Sequence, residues 1–296
     1  MLQMNTKRII LFVVFTYAIT WLMVLSFFLA GGEWNTPAAT IVALASMFIP
    51  GLVAIGMQRL HSGQLREALA ISLRPNRWFL VAWLLPPVLA VATLGVTLLF
   101  PGIQFAPDMT GMFERFAGVL GPDELAEMER QMEGMPFHPF WLVLLQGLIA
   151  GITINAVAGF GEELGWRGYL LNETIALGFW RSSLLIGVIW GFWHAPMILL
   201  GHNYPQNPVP GVFFMVAFTT LLAPLYSYVR LNARSIIAPS IMHGTMNATG
   251  GLSILLIAGG SDLTTGLTGL PGLLVLVALN AGLLLHIRRT GPVELP

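Results

Sequence analysis

Eight runs of roughly 18–24 mostly apolar residues fill the greater part of this 296-residue chain. They constrain the fold more than any other feature. A helix needs about 20 such residues to cross a bilayer, whereas a barrel strand needs about 10. Inside lipid a spanning helix satisfies all its backbone groups within itself. Composition agrees, with 9% charged residues where a soluble domain carries about 25%. That excludes an ordinary cytosolic enzyme, and disorder too, which needs low hydrophobicity. Fourteen basic residues against fourteen acidic ones leave no surplus for nucleic acid. The absence of cysteine removes disulfides, thiolate zinc sites and a Cys nucleophile.

The runs lie at about 9–30, 37–57, 78–100, 140–160, 183–200, 210–228, 235–258 and 270–287. The expected fold is all-α: a single polytopic domain over 1–296, a bundle of about eight transmembrane helices. The first run follows Lys7 and Arg8, as in a signal peptide, but exceeds an h-region of about 7–15 residues. It reads as a span. With the N-terminus inside, the inner segments carry 12 of the 14 basic residues and a net charge of +7, and the outer ones −7. That asymmetry obeys the positive-inside rule and puts both termini in the cytoplasm. Thirteen of the basic residues are Arg, a composition that suggests a bacterial inner membrane.

The longest connection, 101–139, is outer. Leu125, Met128, Met132 and Met135 make an apolar stripe on a helix expected to begin near Pro122-Asp123-Glu124. It reads as an interfacial cap, with a substrate-gating lid as the alternative.

Ionisable residues inside spans are costly and are functional candidates by default. Gly161-Glu162-Glu163-Leu164-Gly165-Trp166-Arg167 closes the fourth span. Glu163 and Arg167 share a helix face and can pair, which leaves Glu162 unclaimed as a base. The competing reading is a polar juxtamembrane loop. The fifth span carries Trp190-Gly191-Phe192-Trp193-His194, and the seventh His243-Gly244-Thr245-Met246-Asn247. His243 and Asn247 point the same way and can both donate to one oxygen, or serve as glue between helices. Gly244 permits a close approach. Glu162 lies shallower than the two His if its span starts at Phe140, so tilt or extra turns must bring them together. His61, His138, His202 and His286 sit at ends or in loops and read as solvated or interfacial.

Two chemistries use this set. In one, Glu162 is general base on a water, assisted by His194, with His243 and Asn247 as an oxyanion hole. In the other, Glu162, His194 and His243 ligate a zinc. The metal-free version is preferred and no cofactor is expected, because the ligands are scattered over three spans. A serine elbow is absent, and all three Asp residues fall in outer loops.

Glu-Glu-x-x-x-Arg at 162–167, aromatic-x-x-x-His at 190–194 and His-x-x-x-Asn at 243–247 resemble the three motifs of the CPBP family of intramembrane proteases, also called the Abi or CAAX-protease-like family. The resemblance covers about 160–250. It implies a cavity open to the cytoplasmic side, catalytic roles for Glu162, His194, His243 and Asn247, and supporting roles for Glu163, Arg167 and Trp190. The second motif usually begins with Phe; Trp190 stands there, which reads as a change of volume. The function expected is an endopeptidase acting on membrane-associated peptides. The alternatives are a non-catalytic immunity or scaffold protein that binds a peptide, and a proton-coupled transporter.

Overall fold

The computed structural model describes residues 4–34, 36–61, 63–116, 121–291 and 293. The protein is an all-helical, multi-pass membrane protein. Five single helices are long and apolar enough to cross a bilayer: α1 (Thr6–Leu29), α2 (Pro37–His61), α3 (Arg77–Thr97) and two near the C-terminus. At 1.5 Å per residue they measure about 31 to 39 Å. The side chain of Asn5 caps α1 by accepting from the Arg8 N–H, and Asn76 caps α3 by accepting from Trp78. Their outward faces are apolar: Leu22 is 65% exposed and Ile41 67%, which suits lipid and not water.

After α3 comes a polar cap. Gln104–Phe105 (β1) pairs antiparallel with Ile257–Ala258 (β2) far along the chain. Helices α4 (Thr110–Phe116) and α5 (Pro122–Glu133) follow. The Glu124 carboxylate accepts from the Gly121 N–H at the start of α5. Leu125, Met128, Met132 and Met135 are half-buried while their neighbours are exposed. The expected apolar stripe therefore faces inward, and Met132 packs beside Met109 and Leu252.

The expected fourth span is a bent pair. Helix α6 (Pro139–Ile152) stops at Thr153, and the chain resumes at 51° as α7 (Ile154–Glu163), which runs into a π-helical turn over Leu164–Leu170. The break falls within Ile-Thr-Ile, a β-branched run of low helix propensity. The Thr153 hydroxyl donates back to the Ile149 carbonyl, which competes with the helix ladder. The expectation ended this span near residue 160; bend and extra turns together carry it deeper.

The fifth and seventh runs are shorter than spans of about 20 residues. Helix α8 (Phe179–Trp193) ends at His194, and α9 (Ala195–Leu199) begins immediately after. Pro196 supplies no N–H to continue the ladder. Helix α10 (Pro208–Ala233) is long, α11 (Ile237–Thr249) has 13 residues with a short α12 (Leu252–Leu255) behind it, and α13 (Leu270–Thr290) closes the fold. Among the described residues five single helices, or six spans with the bent pair, are long and apolar enough to cross a bilayer, against the eight expected.

Contacts between loops define the two ends of the bundle. At one end Arg8 pairs with Glu173 at 3.4 Å, Asn76 Nδ2 donates to Ala233 O at 3.2 Å, and the Ile236 N–H donates to Ala70 O. At the other, Asp262 accepts from the Gln206 N–H and from Asn207 Nδ2, and Arg115 donates to the carbonyls of Gly111, Ile257 and Gly259. These are the basic and the acidic end respectively.

Candidate active site

Small residues let α7 and α11 touch backbone to backbone. A Cβ on Gly244 would sit 2.4 Å from Ala156 N, and one on Gly159 would sit 3.0 Å from the His243 Cβ. Side chains of the two helices are thereby brought within hydrogen-bonding range near the middle of the molecule.

Glu162, Glu163, Arg167 and His243 are all buried. The segment 161–167 is helical and enclosed, which overturns the juxtamembrane-loop reading. Arg167 Nη1 donates to Glu163 Oε1 at 3.0 Å, as the spacing predicts. The same oxygen accepts from His243 Nδ1 at 2.9 Å, a bond that the spacing does not reveal. Nε2 of the same imidazole lies 3.7 Å from Glu162 Oε1. The ring therefore stands between the two carboxylates, with its Nδ1 proton given to Glu163.

The other oxygen of Glu162 is held by two indoles. Trp190 Nε1 donates to Oε2 at 2.8 Å and Trp166 Nε1 at 3.3 Å. Trp190 is more than a change of volume, since an aromatic without an N–H could not make this bond. The Arg167 guanidinium lies 4.4 Å from the Trp190 ring centroid and 4.7 Å from that of Tyr226, a stacking that steadies a buried cation. Trp166 and Tyr226 escape sequence reasoning. Aromatic residues are common in these spans, and no spacing marks which of them turn inward.

His194 donates its Nδ1 proton to Trp190 O at 2.8 Å, which leaves Nε2 as an acceptor. His194 is half-buried and Asn247 exposed. Both line one cavity of about 890 Å³ with Glu162 and His243. Met215, Phe218, Leu222 and Met246 give it an apolar wall. Its far end lies among Glu114, Arg115, Gln206 and Asp262, at the acidic end. Trp166, Leu170 and Leu171 are buried.

His202 also lines this cavity, half-buried, with its ring edge-on to Trp34 at 5.1 Å. Of the two expected readings, solvated or interfacial, half-burial in this loop fits the second; burial pulls its pKa down to about 4. Burial likewise lowers the Arg115 pKa, opposed by the adjacent Glu114.

Among the described residues no three His, Cys, Asp or Glu side chains come together as a metal site. Glu162 and His243 approach each other, but His194 does not complete the zinc set Glu162, His194 and His243.

Residues 136–249 match the family model described as type II CAAX prenyl endopeptidase Rce1-like. The chain is also 29% identical over 92 residues to CAAX prenyl protease 2 of Methanococcus maripaludis, an alignment covering 29% of this chain and 34% of that protein. The chain thus spans about a third of the length of the relative it matches. The matched segment contains Glu162, Glu163, Arg167, Trp190, His194, His243 and Asn247.

Proposed function

We propose, from the similarity of residues 136–249 to the Rce1-like type II CAAX prenyl endopeptidases, that this chain is an intramembrane endopeptidase hydrolysing peptide bonds of membrane-associated substrates. One observation carries this reading. Glu162 is a buried carboxylate whose Oε2 is pinned by two indole N–H groups and whose Oε1 faces His243 on the wall of a large cavity.

In this mechanism Glu162 takes a proton from a water while the water oxygen attacks the scissile carbonyl carbon. His243, which needs a proton on Nε2 as well as the Nδ1 proton given to Glu163, and Asn247 donate to the oxyanion that develops, a contribution usually worth about 10²–10³ in rate per donor. The carbon–nitrogen bond then breaks, and the proton taken by Glu162 passes to the leaving amine. His194, with Nε2 unprotonated, accepts a hydrogen bond from the water or from the substrate amide. Glu163 positions His243, and Arg167 fixes Glu163. The apolar wall around Phe218 and Leu222 suits a substrate's lipid-facing residues.

The termini lie in the cytoplasm by the charge asymmetry, so the acidic mouth of the cavity faces outward and a substrate enters from that side.

The test is cleavage of a membrane-embedded reporter peptide library by purified protein, with Glu162→Gln and His194→Ala beside it, with and without chelator. Loss of cleavage in both folded variants, with chelator inert, supports a Glu-activated water. Loss on chelation that zinc restores overturns the metal-free mechanism. Cleavage unchanged in Glu162→Gln overturns the assignment of the base. A peptide that binds all forms equally and is never cut favours a peptide-binding protein.

A further inference from the structure

A second cavity, of about 900 Å³, lies at the basic end, remote from Glu162. Arg230 lines it from the last turns of α10, together with Arg77, Trp78, Tyr228, Arg234 and His286. Among the described residues one carboxylate, Glu67, lines it with them. Arg230 is 5% exposed, and its Nε has no hydrogen-bond partner among the described residues. A guanidinium withdrawn from water with a donor unused is expensive. The helix C-terminus offsets part of that cost but accepts nothing from Nε. The aromatic wall is ordered: Trp78 stands edge-on to Tyr228 at 5.2 Å, Tyr228 edge-on to His286 at 6.1 Å, and Arg77 lies 5.5 Å from the Trp78 ring.

We propose that this cavity is a binding site for a phosphate-bearing ligand, with Arg230 as its buried anchor and Arg77 and His286 at its lip. Guanidinium groups match phosphate oxygens two at a time. The volume exceeds what a bare phosphate fills, and leaves room for the glycerol of a phospholipid headgroup. The position is where anionic lipids gather, since basic pockets between helices on the cytoplasmic side collect them. A soluble phosphate ester would use the same chemistry. The site does not depend on the proposed peptidase activity.

The experiment follows the thermal unfolding of the purified full chain in neutral detergent, with phosphatidylglycerol, phosphatidylcholine or inorganic phosphate added. A ligand that binds the native state alone raises Tm. Phosphatidylglycerol is expected to raise it by several degrees and phosphatidylcholine to leave it unchanged. The shift should vanish in Arg230→Gln and shrink in Arg77→Gln, while Arg74→Gln, outside the cavity, keeps it. An equal shift with inorganic phosphate assigns the site to a soluble ligand. Should Arg230→Gln not fold, Arg77→Gln and His286→Gln decide by the same readout. A phosphatidylglycerol shift undiminished in every cavity variant, or no shift of the natural chain by either phosphate source, overturns the proposal.

Discussion

His243 and Arg167 meet on a single oxygen. Oε1 of Glu163 accepts from His243 Nδ1 at 2.9 Å and from Arg167 Nη1 at 3.0 Å. One carboxylate therefore ties the bent segment α7 to α11 and at the same time neutralises a fully buried guanidinium. Glu163→Ala removes both bonds and strands Arg167. A loss of about 3–5 kcal/mol is expected, read as a lower Tm in detergent. Glu163→Gln, which keeps an acceptor, should cost less. A Glu163→Ala variant as stable as the natural chain would contradict this linkage.

Asn247 faces the cavity, is exposed, and lies one helical turn from His243. Asn247→Ala should leave Tm unchanged and lower reporter cleavage by about 10²-fold, the usual effect of losing one oxyanion donor. The fall should appear in kcat more than in KM, because the donor acts on charge that develops only in the transition state. An equal rise of KM with kcat intact would make Asn247 a substrate-binding residue instead.

Gly244 has backbone where a side chain would go. Gly244→Val should push α11 from α7, destabilise by about 1–3 kcal/mol, and lengthen the His243–Glu163 bond. Thermal unfolding and cleavage are expected to fall together. Gly251→Val, at a glycine with open space around it, is the control.

His202 gives an acid dependence. Its pKa is about 4 in the fold against 6.5 ordinarily, so between those values the unfolded chain binds a proton that the folded chain refuses. Stability is then full above pH 6.5 and falls as the pH drops towards 4. His202→Phe should flatten Tm across this window. An identical acid profile in the variant would exclude His202 as the source.

The sidedness of the Glu162 cavity can be read with cysteines, because the chain has none of its own. In intact cells Gln206→Cys should react with an impermeant maleimide, and Arg74→Cys only after the membrane is opened. The reverse pattern would place the cavity mouth in the cytoplasm and overturn the orientation drawn from charge.

Local relations were legible in the sequence, and relations across helices were not. The Glu163–Arg167 pair follows from a spacing of four, and the inward stripe of α5 from Leu125 to Met135 follows from periodicity. The bond from Glu163 to His243 spans 80 residues and depends on how closely Gly159 and Gly244 let two backbones approach. The 51° bend at Thr153 was equally hidden, since hydropathy records length and apolarity but not direction. A straight span from Phe140 leaves Glu162 shallower than His243, and the sequence shows only that tilt or extra turns must close the gap. The two broken helices, ending at Trp193 and Thr249, read as full spans because the apolar run continues through each break.

The Arg115 guanidinium grips three main-chain carbonyls, those of Gly111, Ile257 and Gly259. The bonds to Ile257 and Gly259 fasten its helix to the strand pair at the rim of the Glu162 cavity. An outward swing of α4 must shear these two together, because they radiate from one rigid plane, whereas the bond to Gly111 lies within α4 and moves with it. The rim is therefore latched, closed until both of those grips release.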